Sequence, residues 1–290
     1  MITHLAVLAS LACTQPAAHA EHALNSVFQE LIGKGWNLGE RRLVLPRPLT
    51  ADGQTADAER ERLAALAGSA RAAQELVRDS VTAPFIIKVH DEKIAGATVR
   101  IADLWFTVRA DLAALDPEKQ ARAADQKRVE AANMLFETRM LKDDEIKAAG
   151  APTHLEGASI WYAHVHGRLL DRIEVEATNE AVVTRSGASI VVASRVADGF
   201  QGANATGWKA LDQAGASGPL KPYRGGASYT RISKMASQPG MLLVESHLAF
   251  LEPDAWFQAA PILRSKLSII AQDQIRRLRR ELAKAESKSR

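Results

Sequence analysis

The sequence predicts an α+β fold in which a curved antiparallel sheet packs on a long C-terminal helix. Three observations carry this reading. From about Ala83 the apolar residues fall into a two-residue period over eight segments. Several of these segments are joined by connections short enough for hairpins, so a meander is more economical than crossovers. The chain closes on about twenty-five residues whose apolar stripe is Leu263, Leu267, Ile270, Leu278 and Leu282, with Ile275 beside it.

The first element is an address. An apolar run from Leu5 to Cys13 precedes Ala18-His19-Ala20, the pattern of a secretory leader (residues 1–20) removed after Ala20. Neither this run nor any later one reaches the roughly 18 apolar residues that a spanning helix needs. The expectation is a secreted or periplasmic chain with no integral membrane segment. Lipid anchoring through Cys13 is the weaker alternative, because the residue three before it is Ser10, where lipoprotein signals usually carry Leu. Cys13 is the one cysteine of 290 residues, so a mature chain beginning at Glu21 would have no disulfide and no thiolate chemistry. With 47% hydrophobic residues, its stability must come from apolar burial.

Residues 21–82 read as an extended and helical N-terminal segment, and residues 83–290 as the α+β domain. Within the first, Asn25 to Ile32 suits a short helix, and the prolines of Leu45-Pro46-Arg47-Pro48 favour extended chain. Thr50 to Thr55 is a turn-rich linker, and Ala56 to Ser80 is expected to form one amphipathic helix, with Leu63, Leu66, Ala70, Ala73 and Val77 three and four apart.

In the second part the expected strands are Phe85 to His90, Thr98 to Arg109, Met134 to Met140, Ser159 to His166, Leu169 to Thr178, Ser189 to Val196, Ser228 to Lys234 and Met241 to Phe250. Hairpin turns are expected around Asp91-Glu92-Lys93, Gly167-Arg168 and Ser186-Gly187. Asp116-Pro117-Glu118 offers an N-cap, a first-turn proline and an acid, starting a helix that continues to about Ala132. Ala197 to Gly226 has no sustained period and reads as a long flexible loop at one end of the sheet, although it carries Phe200, Trp208 and Tyr223. Pro261 opens the final helix, a rod of ~37 Å that can cross a whole sheet.

The formal charge is +3, but nine Lys/Arg against three Asp/Glu fall between Arg264 and Arg290. The run Arg276-Arg277-Leu278-Arg279-Arg280 reads first as the solvated face of the helix. A basic helix end that binds an anionic envelope polymer is a further reading, whereas export argues against nucleic acid.

Strand Met241 to Phe250, the turn Glu252-Pro253 with Trp256, and a long closing helix together resemble the end of helix-grip proteins of the START and polyketide-cyclase type. The resemblance covers roughly Thr98 to Ala285. It implies a sheet wrapped around the terminal helix, an apolar cavity between them and a bound lipid or other apolar molecule, and it transfers no catalytic residue. The segment before Ala83 has no counterpart in that group.

The aromatic residues proposed to line such a cavity are Trp161, Tyr162, Tyr229 and Trp256, with core packing as the competing role. Along Thr98 to Arg109 the side bearing Leu104 and Phe106 reads as core, and Asp103 with Trp105 as a more polar face. His164 and His166 share one strand face, as do Glu245 and His247; were those strands neighbours, four metal ligands would converge for an envelope enzyme. Gly215-Ala216-Ser217-Gly218 lacks the frame of a nucleophile elbow, and Gly33-Lys34-Gly35 and Gly225-Gly226 match no phosphate loop, so no cofactor is expected. The sequence thus favours binding over catalysis.

Overall fold

The computed structural model describes residues 22–258 and 260–289. The expected leader and Cys13 lie outside the described residues.

The chain begins with helix α1 (Ser26–Gly33), a small pair of strands β1 (Trp36–Asn37) and β2 (Arg42–Leu43), and helices α2 (Ala56–Ala67) and α3 (Ala70–Leu76). There follow β3 (Ile86–Ile94), β4 (Ala97–Arg109), α4 (Pro117–Ala124), β5 (Arg128–Ala131), β6 (Met134–Met140), α5 (Asp143–Ala148), β7 (Ser159–Leu169), β8 (Ile173–Arg185) and β9 (Ser189–Val196). The last elements are β10 (Gly207–Ala210), β11 (Lys221–Pro222), β12 (Gly226–Lys234), β13 (Met241–Pro253), α6 (Asp254–Phe257) and α7 (Ile262–Ser289).

The main sheet runs β3-β4-β13-β12-β9-β8-β7-β6-β5, and every pairing in it is antiparallel. On β13 the even positions Leu242, Val244 and Phe250 pack toward α7, while Met241, Leu243, Ala249 and Leu251 pack under the N-terminal segment. Both faces are therefore covered.

The amphipathic stripe of α7, a rod of ~42 Å, spans the sheet. Ile275, Leu278 and Leu282 lie with Phe106, Val108 and Leu242, and Leu263 and Ile270 lie with Met134, Leu169 and Ile173. A helix that touches β4 at one end and β6 to β8 at the other requires a sheet that bends around it. This is the helix-grip arrangement that the order of elements resembles. Phe106 faces the helix as expected.

Several boundaries differ from the sequence reading. Ala56 to Ser80 is two helices, because Gly68 adopts φ +83° at the end of α2 and the Ser69 hydroxyl accepts from the Ala72 N–H to start α3. The β7–β8 turn is Leu169–Arg172, with Leu170 and Asp171 at φ 53° and 54°, not Gly167-Arg168. Gly167 stays in β7, where a Cβ would stand 3.1 Å from the Phe136 ring; the glycine marks close approach instead of a turn. Likewise β3 continues through Asp91 to Lys93 and turns at Ala95-Gly96.

Helix α4 stops at Ala124, and Arg128–Ala131 pairs with β6. The 197–226 segment is no simple flexible loop: β10 pairs with β8, and Trp208 is buried against Trp256. Helix α5 was not anticipated. Its first turn carries Asp143, Asp144 and Glu145, and Glu145 accepts from the Lys142 backbone N–H at 3.0 Å.

Candidate functional site

Between the inner face of the sheet and α7 lies a groove of about 420 Å³, on the scale of small-molecule sites. Its walls are Met134 and Phe136 of β6, Val165 and Leu169 of β7, Val175 and Ala177 of β8, Leu248 and Phe250 of β13, and Leu263, Leu267 and Ile270 of α7. The two-residue period of the strands and the three-and-four spacing of the helix deliver these side chains to one space. No Asp, Glu, Lys, Arg or His is among the described lining residues.

One end is closed by aromatics. Gln258, at φ 55°, ends α6 and lets the chain turn back toward Pro261 and α7. The α6 residue Trp256 is 4% exposed and meets Tyr223, Trp208 and Phe257 at ring-centroid distances of 5.2, 6.1 and 6.5 Å. The Tyr223 hydroxyl donates to the Leu251 carbonyl at 3.0 Å, and burial pushes its ionisation well above the usual range. Gly225 and Gly226 complete this wall. A Cβ on Gly225 would collide with Val196, and one on Gly226 would stand 2.7 Å from the Ala249 carbonyl oxygen.

The amide of Asn179 is the polar side-chain group that enters from β8. Asn179 is half-buried and pairs in register with Ala163 of β7 and Val196 of β9.

Opposite the groove, the outer face carries a buried polar network under residues 45–52. Asp103 Oδ1 lies 2.6 Å from His247 Nδ1, and Trp105 Nε1 donates to Glu245 at 3.1 Å. Glu245 also accepts from the Leu49 N–H at 2.7 Å and the Thr50 hydroxyl at 3.2 Å. Arg231, fully buried, donates to Thr50 Oγ1 and to Asp52, each at 2.6 Å. Burial acts to raise the Asp52 pKa, but the Ser186 and Ser189 hydroxyls and the Arg231 charge outweigh it and hold the carboxyl below its usual range. The polar face read on the Asp103–Trp105 strand is thus the seat of the N-terminal segment.

Of the four aromatics proposed from sequence, Trp256 lines the groove. Trp161 is half-buried on β7, on the same side as Val165 but outside the described lining. Tyr162 packs on the outer face against Phe200, with ring centroids 5.4 Å apart. Tyr229 stacks on His247 at 4.8 Å in the outer network and donates to the Pro46 carbonyl at 2.6 Å.

The four proposed metal ligands are not brought together. His164 and His166 stand on β7 and Glu245 and His247 on β13, with β8, β9 and β12 between them, a separation of ~19 Å at the usual strand spacing. His164 Nδ1 instead meets the Thr178 hydroxyl at 3.0 Å, and burial pushes its imidazole below the usual pKa, partly offset by Glu176. His166 does gather with Glu174 and Glu176, but the Lys209 ammonium already bonds both carboxylates, at 3.0 and 2.9 Å.

In the basic run, Arg276, Arg277 and Arg280 are exposed, whereas Arg279 is 6% exposed and donates to the carbonyls of Thr107, Ala83 and Pro84. Burial pushes its guanidinium down to about 10. It lies four residues after Ile275 and three before Leu282, so it shares their inward stripe. That spacing was the signal available in the sequence.

No family model matches the chain, and no curated protein matches it. Among solved structures the chain is similar to the human StarD13 (DLC2) lipid transfer and protein localization domain, with a TM-score of 0.33 and 9% identity over 67% of this chain and 89% of that one.

Proposed function

We propose that the protein is an exported carrier that holds a lipid or other apolar small molecule between the sheet and α7. The observation that supports this reading is the apolar groove of about 420 Å³ with no charged side chain among its described lining residues. A solvent-facing apolar concavity of this kind costs free energy while empty, and an apolar occupant removes that cost. The role proposed for the groove is binding and not catalysis. Export adds that the mature chain begins at Glu21 and meets its ligand in the envelope or outside the cell.

Protein isolated from its own envelope under non-denaturing conditions should carry, by native mass spectrometry, an added mass that organic extraction removes. Its melting temperature should rise when the extract is returned. A clean apo mass with no thermal response to the envelope lipid extract would overturn the binding role. An intact leader on the isolated protein would overturn export.

A further inference from the structure

We infer, building on the proposed function, that the groove's ligand is electrically neutral and presents one hydroxyl or carbonyl group that the side-chain amide of Asn179 recognises. Asn is a poor strand residue, yet Asn179 sits mid-strand on β8 with the apolar neighbours Ala163 and Val196 on either side. Its Nδ2 makes one long contact, 3.4 Å to the carbonyl of Ala177 in its own strand, and its Oδ1 accepts from no group among the described residues. An amide offers two N–H donors and one carbonyl acceptor, so most of this capacity is unspent.

Trp256 is the other wall residue with an unpartnered polar side-chain atom among the described residues, a buried indole N–H that can only donate. Tyr223 has given its hydroxyl to Leu251. An ionised carboxylate or phosphate drawn into the groove would lose its water without meeting a Lys, Arg or His among the described lining residues. A neutral hydroxyl or carbonyl, by contrast, replaces its water with the Asn179 amide.

The test compares three probes of one chain length on the full protein at neutral pH: decane, 1-decanol and decanoate, followed by thermal shift and calorimetry. The alcohol should bind about tenfold more tightly than the alkane, as one hydrogen bond allows, and more tightly than the carboxylate. Asn179→Leu should erase the preference for alcohol over alkane, with the alkane still held by the apolar walls. Decanoate binding as tightly as decanol to the wild-type protein would overturn the inference and leave the groove reading standing. The same holds for a decanol preference that persists in Asn179→Leu. Failure of all three probes would overturn both. The wild-type ranking decides the matter even if the variant does not fold.

Discussion

Tyr223 leans on Trp256 with ring centroids 5.2 Å apart and planes tilted by 38°, while its hydroxyl turns away to the Leu251 carbonyl. The ring therefore serves the groove wall and the hydroxyl serves the fold. Tyr223→Phe should keep apolar-ligand affinity within about twofold and lower stability by about 1 kcal/mol. Tyr223→Ala should lower both, by about 3 kcal/mol in stability. Paired denaturant titrations and probe binding separate the two. An equal loss of affinity in Tyr223→Phe would show that the hydroxyl contacts the ligand.

Glu245 fastens the N-terminal segment to the sheet, because one buried carboxylate accepts from Trp105, Leu49 and Thr50. In Glu245→Gln the amide NH₂ would face donors, leaving at least one buried group unpaired at a cost of about 2–4 kcal/mol. Hydrogen exchange at the Leu49 amide should accelerate more than exchange in β7. A stability change below about 0.5 kcal/mol would contradict this role.

Arg279 locks α7 to the 81–84 turn and to β4 through several carbonyls at once, a geometry suited to the guanidinium fork. Arg279→Met should cost about 2–4 kcal/mol, since the carbonyls lose their donors. Lys at the same position should recover less than half of this, because a point ammonium cannot reach all of them. Exposed Arg276→Ala should change stability by less than about 0.5 kcal/mol. Similar effects at the two arginines, read from urea midpoints, would contradict the assignment.

Glu145 is held at about 2 by Arg139, by the Lys142 N–H and by Asn204, against burial. A carboxyl whose folded pKa lies below its ordinary 4.5 stabilises fully above that value and loses the contribution as pH falls toward about 2. Denaturant midpoints of the wild type should therefore drop more between pH 4.5 and 2 than those of Glu145→Gln. Parallel pH curves would show that Glu145 does not tie α5 to the 202–204 turn.

The two-residue period of the strands after Ala83 and the stripe from Leu263 to Leu282 were legible in the sequence, because each periodicity recurs often enough to define an element. That the two faces meet, and that the chain closes a sheet around its last helix, was what the resemblance of their order to helix-grip proteins implied. The two coverings of the sheet were less legible. Asp103 and Trp105 look like a solvent face until residues 45–52, far away in sequence, settle on them. Gly167 and Gly68 carry the same residue type into opposite roles, a strand packed on Phe136 and a break between helices, and only the neighbours decide which. The groove lining from β6 to β8 was missed because Met134, Phe136 and Val165 are ordinary strand residues. Asn179 was missed as well, because the expected strand ended at Thr178 whereas β8 runs on to Arg185. The aromatics drew attention by size, yet size does not distinguish the two faces of a sheet that is buried on both.

Filling the groove tests the central claim most directly. Val175 lines the groove from β8, so an indole in its place would take up groove volume. The stoichiometry and affinity of 1-decanol binding should be measured for the wild type and Val175→Trp, with circular dichroism as the control for folding. The account predicts one molecule per wild-type chain and at least a tenfold loss of affinity, about 1.4 kcal/mol, in a folded variant. Equal binding by the two proteins, or none by the wild type, would contradict it.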